Sequence, residues 1–263
     1  MGPMNTRMTS LLRTLLAWAL VVTVAWLTNS LISARAAGNG KRPVVVELFT
    51  SQGCSSCPPA DALMLELAKR DDIIALSLPV DYWDNMGWAD TFASPRHTAR
   101  QRAYAKTLPN RRVYTPQMVI NGTVDLVGSH RDEVLETISK EVASPAPFIP
   151  ITLGREGDHL TISLGDAPPA LAGRKAWIWI APYHGKVQSV AITKGENAGN
   201  TFKYTHVVDG LKKIGDYDGS KLLITHEMDE MMAKNIDDCA IIVQDSQTGA
   251  ILGATHITWP SAG

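Results

Sequence analysis

Two cysteines three apart, Cys54-Ser55-Ser56-Cys57, follow the run Val44-Val45-Val46-Glu47-Leu48-Phe49 and precede Pro58-Pro59. Cysteines at that spacing at a helix start share one turn, so their sulfurs can close a disulfide or open to a dithiol with little backbone movement. The amide dipoles of the helix start favour a thiolate, lowering a thiol pKa from about 8.5 toward about 7 or below. Cys54 is then the attacking sulfur and Cys57 the one that resolves a mixed disulfide. Cys57 needs a proton acceptor. Glu47, an acid inside an otherwise apolar strand, is the candidate; the other reading pairs it with a basic residue such as Arg111 or Lys41, because buried carboxylates are either paired or functional.

No metal is expected. A closed zinc site wants a second cysteine pair, and His159, His184, His206, His226 and His256 are scattered without a repeat. The remaining metal reading is a soft ion such as Cu(I) held by both sulfurs. The redox-active disulfide Cys54–Cys57 is the only redox group implied, with no further cofactor.

The elements that must position these sulfurs alternate. The pattern predicts a strand at 44–49, a helix at 58–70 whose two prolines fit a first turn lacking partners anyway, and a strand at 73–80. Residues 117–120, Asn121-Gly122 and 123–127 predict a hairpin, since Asn-Gly suits the positive backbone angles of a two-residue turn. A helix is expected at 131–142. The segment 81–112 is a helical insert carrying Tyr82, Trp83, Trp88, Phe92 and Tyr104 among charged residues. Trp83 and Trp88 are candidate substrate contacts, and the plainer reading packs these rings onto the sheet. His97 is expected on the helix surface.

The 263 residues exceed one average domain. The N-terminus reads as an export signal: basic Arg7 and Arg13, an uncharged apolar stretch from Thr14 to Ala34, then the small-x-small site Ala34-Arg35-Ala36. The alternative is an uncleaved inner-membrane anchor facing the periplasm, the only route by which a membrane becomes a partner. Either way the rest is expected in the periplasm or secreted, where disulfides persist. Removing residues 1–36 takes three of the 25 basic residues and no acid, leaving 22 against 26 acidic ones. Nothing in that balance suggests nucleic acid.

The order strand, CxxC helix, strand, helical insert, Thr115-Pro116, hairpin, Gly128 and helix resembles the thioredoxin fold over residues 41–143. That resemblance implies a cis bond before Pro116, with Thr115 and Pro116 beside the cysteines as a place where a substrate strand pairs. It also implies a buried carboxylate near Glu47. In closer detail, 47–61, Asp81-Tyr82-Trp83-Asp84, Tyr114-Thr115-Pro116-Gln117 and Gly195-Glu196-Asn197 resemble a family of secreted bacterial proteins known only as a domain of unknown function. That family brings no established substrate.

The prolines of 144–150 mark a linker. Beyond it, short alternating runs at 151–153, 160–164, 176–180, 187–192, 222–225, 239–243 and 251–258 predict an all-β, sandwich-like domain over 151–263. The expected fold class is thus an α/β thioredoxin-like domain followed by an all-β sandwich-like domain. Cys239 alternates with Ile241 and Val243 and is expected buried and unreactive. The function expected is an exported thiol-disulfide oxidoreductase exchanging with protein or small thiol partners and served by an unidentified redox partner. The alternatives are a non-catalytic binding protein with a structural disulfide, and a CxxC metallochaperone.

Overall fold

In a computed structural model, residues 42–228, 236 and 238–259 are described. The export segment 1–36 and Lys41 lie outside them. No helix among the described residues is long and apolar enough to cross a membrane.

Strand β1 (Val44–Thr50) is buried along its whole length. Its β-branched and aromatic residues suit a strand covered on both faces. Val44, Val46 and Leu48 pack with Ala60, Leu63 and Met64 of helix α1 (Pro58–Leu67). The alternate residues Val45 and Phe49 pack on the other face with Tyr104 and Leu108 at the end of helix α2 (Pro95–Thr107). Helix α1 ends at Leu67, short of the expected Arg70, as the next amides tighten into turns. Helix α2 starts where Ser94 Oγ accepts from the Arg96 amide and Pro95 fills the first position. Strand β2 (Ile73–Pro79) pairs parallel with β1, and β3 (Gln117–Ile120) pairs antiparallel on the other side, followed by β4 (Val124–Val127) and helix α3 (Arg131–Ala143).

The second half departs from expectation. Strands β5 (Ile151–Glu156), β6 (His159–Leu164), β7 (Ala176–His184), β8 (Gln188–Ala191), β9 (Thr201–Tyr204), β10 (Val207–Val208), β11 (Lys212–Tyr217), β12 (Leu222–Glu227), β13 (Asp238–Asp245) and β14 (Ile251–Thr258) do not form a separate sandwich. Instead β10 lies along the free edge of β2, and the order β14-β13-β7-β10-β2-β1-β3-β4, with β11 also on β7, makes one nine-stranded mixed sheet. This overturns the expected fold class, a thioredoxin-like α/β domain plus a β-sandwich. The physical reason is the edge of β2. Its unpaired backbone groups need partners, and Ser77 donates its amide to His206 O (2.9 Å) and its hydroxyl to Thr205 O (2.8 Å). Strands β9, β10 and β11 went unread because they are short or mostly polar. The remaining strands form a three-stranded sheet, β12-β6-β5, and the hairpin β8-β9.

The Asn121-Gly122 turn has positive φ at both residues (47° and 73°). It is also a joint between the halves: Asn121 O accepts from the Ile251 amide (2.9 Å), and its side chain takes the Val45 amide (3.0 Å) and donates to Glu141 (2.7 Å). With both ends of the amide in use, the Asn121 side chain is committed to holding the turn. A Cβ on Gly122 would stand 2.1 Å from Gly249 O. Gly122→Ala therefore faces both a left-handed backbone and a backbone clash, and its urea midpoint should fall by the equivalent of at least about 2 kcal/mol.

Candidate functional site

Cys54 and Cys57 are joined in a disulfide with their Cα atoms 5.4 Å apart, and Cys57 is the N-cap of α1. The loop before them is held from all sides. Gln52 is its hub: its amide donates to Asp90 Oδ2 (2.7 Å), while its side-chain oxygen accepts from Trp88 Nε1 (2.9 Å) and the Thr91 amide (3.2 Å). Ser56 Oγ stands 3.4 Å from Cys54 Sγ, close enough to stabilise a thiolate there.

A roof closes the site. The hairpin β8-β9 packs on α1, and its loop, 192–200, reaches over the cysteines. There Asn197 Nδ2 donates to both Gln52 O (2.9 Å) and Cys54 O (3.0 Å). Gly195, at φ +76°, brings the loop against Trp88: a Cβ there would sit 3.2 Å from Trp88 Cβ. As a result Cys54 is 1% exposed and Cys57 0%. The expected open, attacking sulfur is covered in this state. Only Ser55 and Ser56 of the motif face solvent.

Of the other expected site residues, Trp83 and Thr115 are brought together, Trp83 Nε1 donating to Thr115 Oγ1 (2.9 Å), while Trp83 also flanks Gly53. The Thr115–Pro116 peptide is cis. Pro116 and Ala60 of α1 both flank Gly128, and Pro116 O accepts the Gly128 amide (2.9 Å). The polar ends of Trp83 and Trp88 are thus used inside the protein, to hold Thr115 and Gln52. His97 is a correction: it is fully buried, with Nδ1 2.8 Å from Pro79 O, and burial lowers its pKa. Cys239 is buried as expected, which pushes its thiol up.

Glu47 is elsewhere. It shares the face of Val45 and Phe49, opposite α1, and its carboxylate is taken by Arg100 Nε and by Arg100 Nη2 (3.0 Å), with Tyr104 Oη donating as well. Its partner is Arg100, not the exposed Arg111; Lys41 lies outside the described residues. Gln244 of β13 closes the network, donating to Tyr104 Oη (3.1 Å) and accepting from Arg100 Nη1 (3.2 Å).

The acid on the cysteine side is Asp61. It lies one turn after Cys57, on the same face of α1. Thr50 Oγ1, at the end of β1, donates to Asp61 Oδ1 (2.8 Å). Burial, opposed by that bond and aided by the nearby Asp90 charge, raises the Asp61 pKa to about 8. Asp90 is raised to about 6, again chiefly by burial. Tyr204 of β9 is buried beside both acids, its ring edge-on to Phe92 at 5.8 Å. Sequence reasoning passed over Asp61, Gln52, Asp90 and Tyr204. The available signal for Asp61 was its four-residue spacing from Cys57 on an apolar helix face. Among the described residues no three His, Cys, Asp or Glu side chains converge as metal donors would.

These features define a class: a one-CxxC protein whose disulfide is roofed by a hairpin of its own chain. The model of the family described as protein of unknown function (DUF1223) matches residues 45–244, and the chain belongs to that family. It is similar to the crystal structure of protein AGR_C_4864 from Agrobacterium tumefaciens, with 29% identity, a TM-score of 0.72, and coverage of 86% of this chain and 98% of that one. It also resembles HBP35 of Porphyromonas gingivalis in fold alone, at 15% identity and a TM-score of 0.59 over 86% and 79% of the two chains. No curated protein matches it significantly.

The neutral state of Asp61 has a measurable sign. A carboxyl raised from about 4 to about 8 binds its proton more tightly in the folded state, so the stability it allows is greatest below about pH 4 and is lost as pH rises toward 8. Asp61→Asn keeps an acceptor for Thr50 and removes that loss. The variant should exceed the wild type in stability by a margin that grows from pH 5 to pH 8, reaching on the order of a few kcal/mol. Paired urea titrations at the two pH values measure it, and a constant margin would mean Asp61 is ionised throughout.

Proposed function

We propose that the Cys54–Cys57 disulfide is redox-active and exchanges with thiol partners when the 192–200 loop lifts. The observation that carries this reading is Asp61, a buried acid that holds its proton at neutral pH one turn from Cys57. A purely mechanical crosslink has no use for a proton donor there. The bridge is also a poor staple: its cysteines are three apart, and closing so short a loop removes only about 2 kcal/mol of unfolded-chain entropy, against about 3 for a 15-residue loop.

A partner thiolate attacks Cys54 Sγ, forming a mixed disulfide and breaking the Cys54–Cys57 bond. The electron pair of that bond leaves on Cys57, which takes the Asp61 proton. A second partner thiolate then attacks the partner sulfur of the mixed disulfide and releases Cys54 as a thiolate, which Ser56 is placed to stabilise. The partner dithiol is oxidised by two electrons and the protein disulfide is reduced to a dithiol. The reverse sequence reduces a partner disulfide, with Asp61, then ionised, accepting the Cys57 proton. In this reading the chain is exported and meets its partners outside the inner membrane. Thr115 and Pro116, steadied by Trp83, form the edge on which a partner strand aligns.

The second reading, a structural disulfide on a binding scaffold, is favoured by one observation: Cys54 is 1% exposed. Equilibration in glutathione buffers separates the two. Exchange expects a potential between about −270 and −120 mV, whereas a structural bridge lies below about −300 mV. Asn197→Ala removes two hydrogen bonds of about 1 kcal/mol each, so reduction by dithiothreitol should quicken about tenfold or more. Cys57→Ser should trap mixed disulfides in extract. A potential below −300 mV with an unchanged rate in Asn197→Ala leaves only the structural bridge.

A further inference from the structure

On the sheet face away from α1, a cavity of about 700 Å³ opens between α2, β7, β11 and β13. We infer that it binds a small organic anion with a flat, apolar body. The volume is in the range of small-molecule sites, about 300–1,000 Å³. Its apolar wall is a pair of tryptophans from β7, Trp177 and Trp179, packed edge to face with centroids 6.2 Å apart. Trp177 keeps 36% of its surface exposed, although large aromatic rings gain most when covered. Neither ring is needed to shape the cysteine site, which lies on the opposite face of the sheet.

The charge of the cavity is one-sided. Arg96, Lys106, Lys212 and Lys213 line it; Lys213 is paired with Asp216 (2.6 Å) and lies over the Trp177 ring, while the other three have no carboxylate partner among the described residues. The one acid in the lining, Asp245, is already engaged by Arg174 (3.1 Å) and by the amides of Gln247 and Thr248. Arg100, in the floor, is neutralised by Glu47 behind it. Unpaired cations therefore gather at one concavity in a chain whose overall charge is −1. A carboxylate or sulfonate would relieve their repulsion, while its ring system covers the exposed part of Trp177, next to the half-buried Trp179. The occupant needs both parts: an inorganic anion leaves Trp177 exposed, and a neutral arene leaves the cations unpaired.

The test is a titration of the full-length protein followed by the indole N–H signals of Trp177 and Trp179, assigned with Trp177→Phe and Trp179→Phe. The probes are 2-naphthoate, the isosteric neutral 2-naphthamide, and acetate. Saturable shifts of both indoles are expected with 2-naphthoate, with the amide and acetate each at least about tenfold weaker. Lys106→Ala/Lys212→Ala, two exposed positions whose loss should leave the unfolding midpoint unchanged, should weaken naphthoate binding about tenfold or more. Absence of saturable shifts up to about 5 mM naphthoate would overturn the site. Equal affinity for the amide, or full binding by the double variant, would overturn its preference for an anion. None of these readouts depends on the state of the Cys54–Cys57 bond.

Discussion

A carboxylate at Glu47, in the middle of a fully buried strand, is the constraint around which this molecule is arranged. Left alone it would cost several kcal/mol in desolvation, and removing either partner of such a pair costs about 3–5 kcal/mol. Arg100 can reach it only if α2 lies across that face of the sheet, and Tyr104, one turn further along α2, completes the contact. Gln244 then brings β13 into the same network. Three stretches far apart in the chain meet at one charge. The sheet that results runs through both halves, and the anion-binding cavity inferred above lies over this network.

The opposite face works by a different economy of groups. Thr50 ends β1 on the α1 side and turns its hydroxyl to Asp61, so Glu47 and Asp61 are separated by the sheet. One is paired with a guanidinium; the other has a hydroxyl for company, and burial raises its pKa to about 8. Burial is common to both acids; what differs is the partner that meets each one, a guanidinium for Glu47 and a hydroxyl for Asp61.

The roof over the cysteines gives the second half of the chain a place in the site. Asn197 bonds to backbone oxygens, not to side chains, so it grips the conformation of the CxxC loop whatever occupies Ser55 and Ser56. Gln52 ties the same loop to Trp88, Thr91 and Asp90. Burial of the disulfide is then a property of the hairpin β8-β9 and its loop, while the acid beside it belongs to α1.

Much of this was legible in the chain. The strand read at 44–49, the helix begun by Pro58, the Asn121-Gly122 hairpin and the strands read at 239–243 and 251–258 follow from period, propensity and turn chemistry, which are local. So does the oddity of Glu47, and the alternation of β1 already set it with Val45 and Phe49. What the sequence could not name was Arg100 as its partner, the loop that covers Cys54, or the strand that completes the edge of β2. Those depend on groups 53, 143 and 128 residues apart meeting in space. Local chemistry determined which residues could react and which backbone angles the turns required; tertiary packing decided which acid meets a guanidinium, whether the sulfurs meet solvent, and that one sheet joins both halves, because desolvation and edge pairing are settled only by what lies alongside.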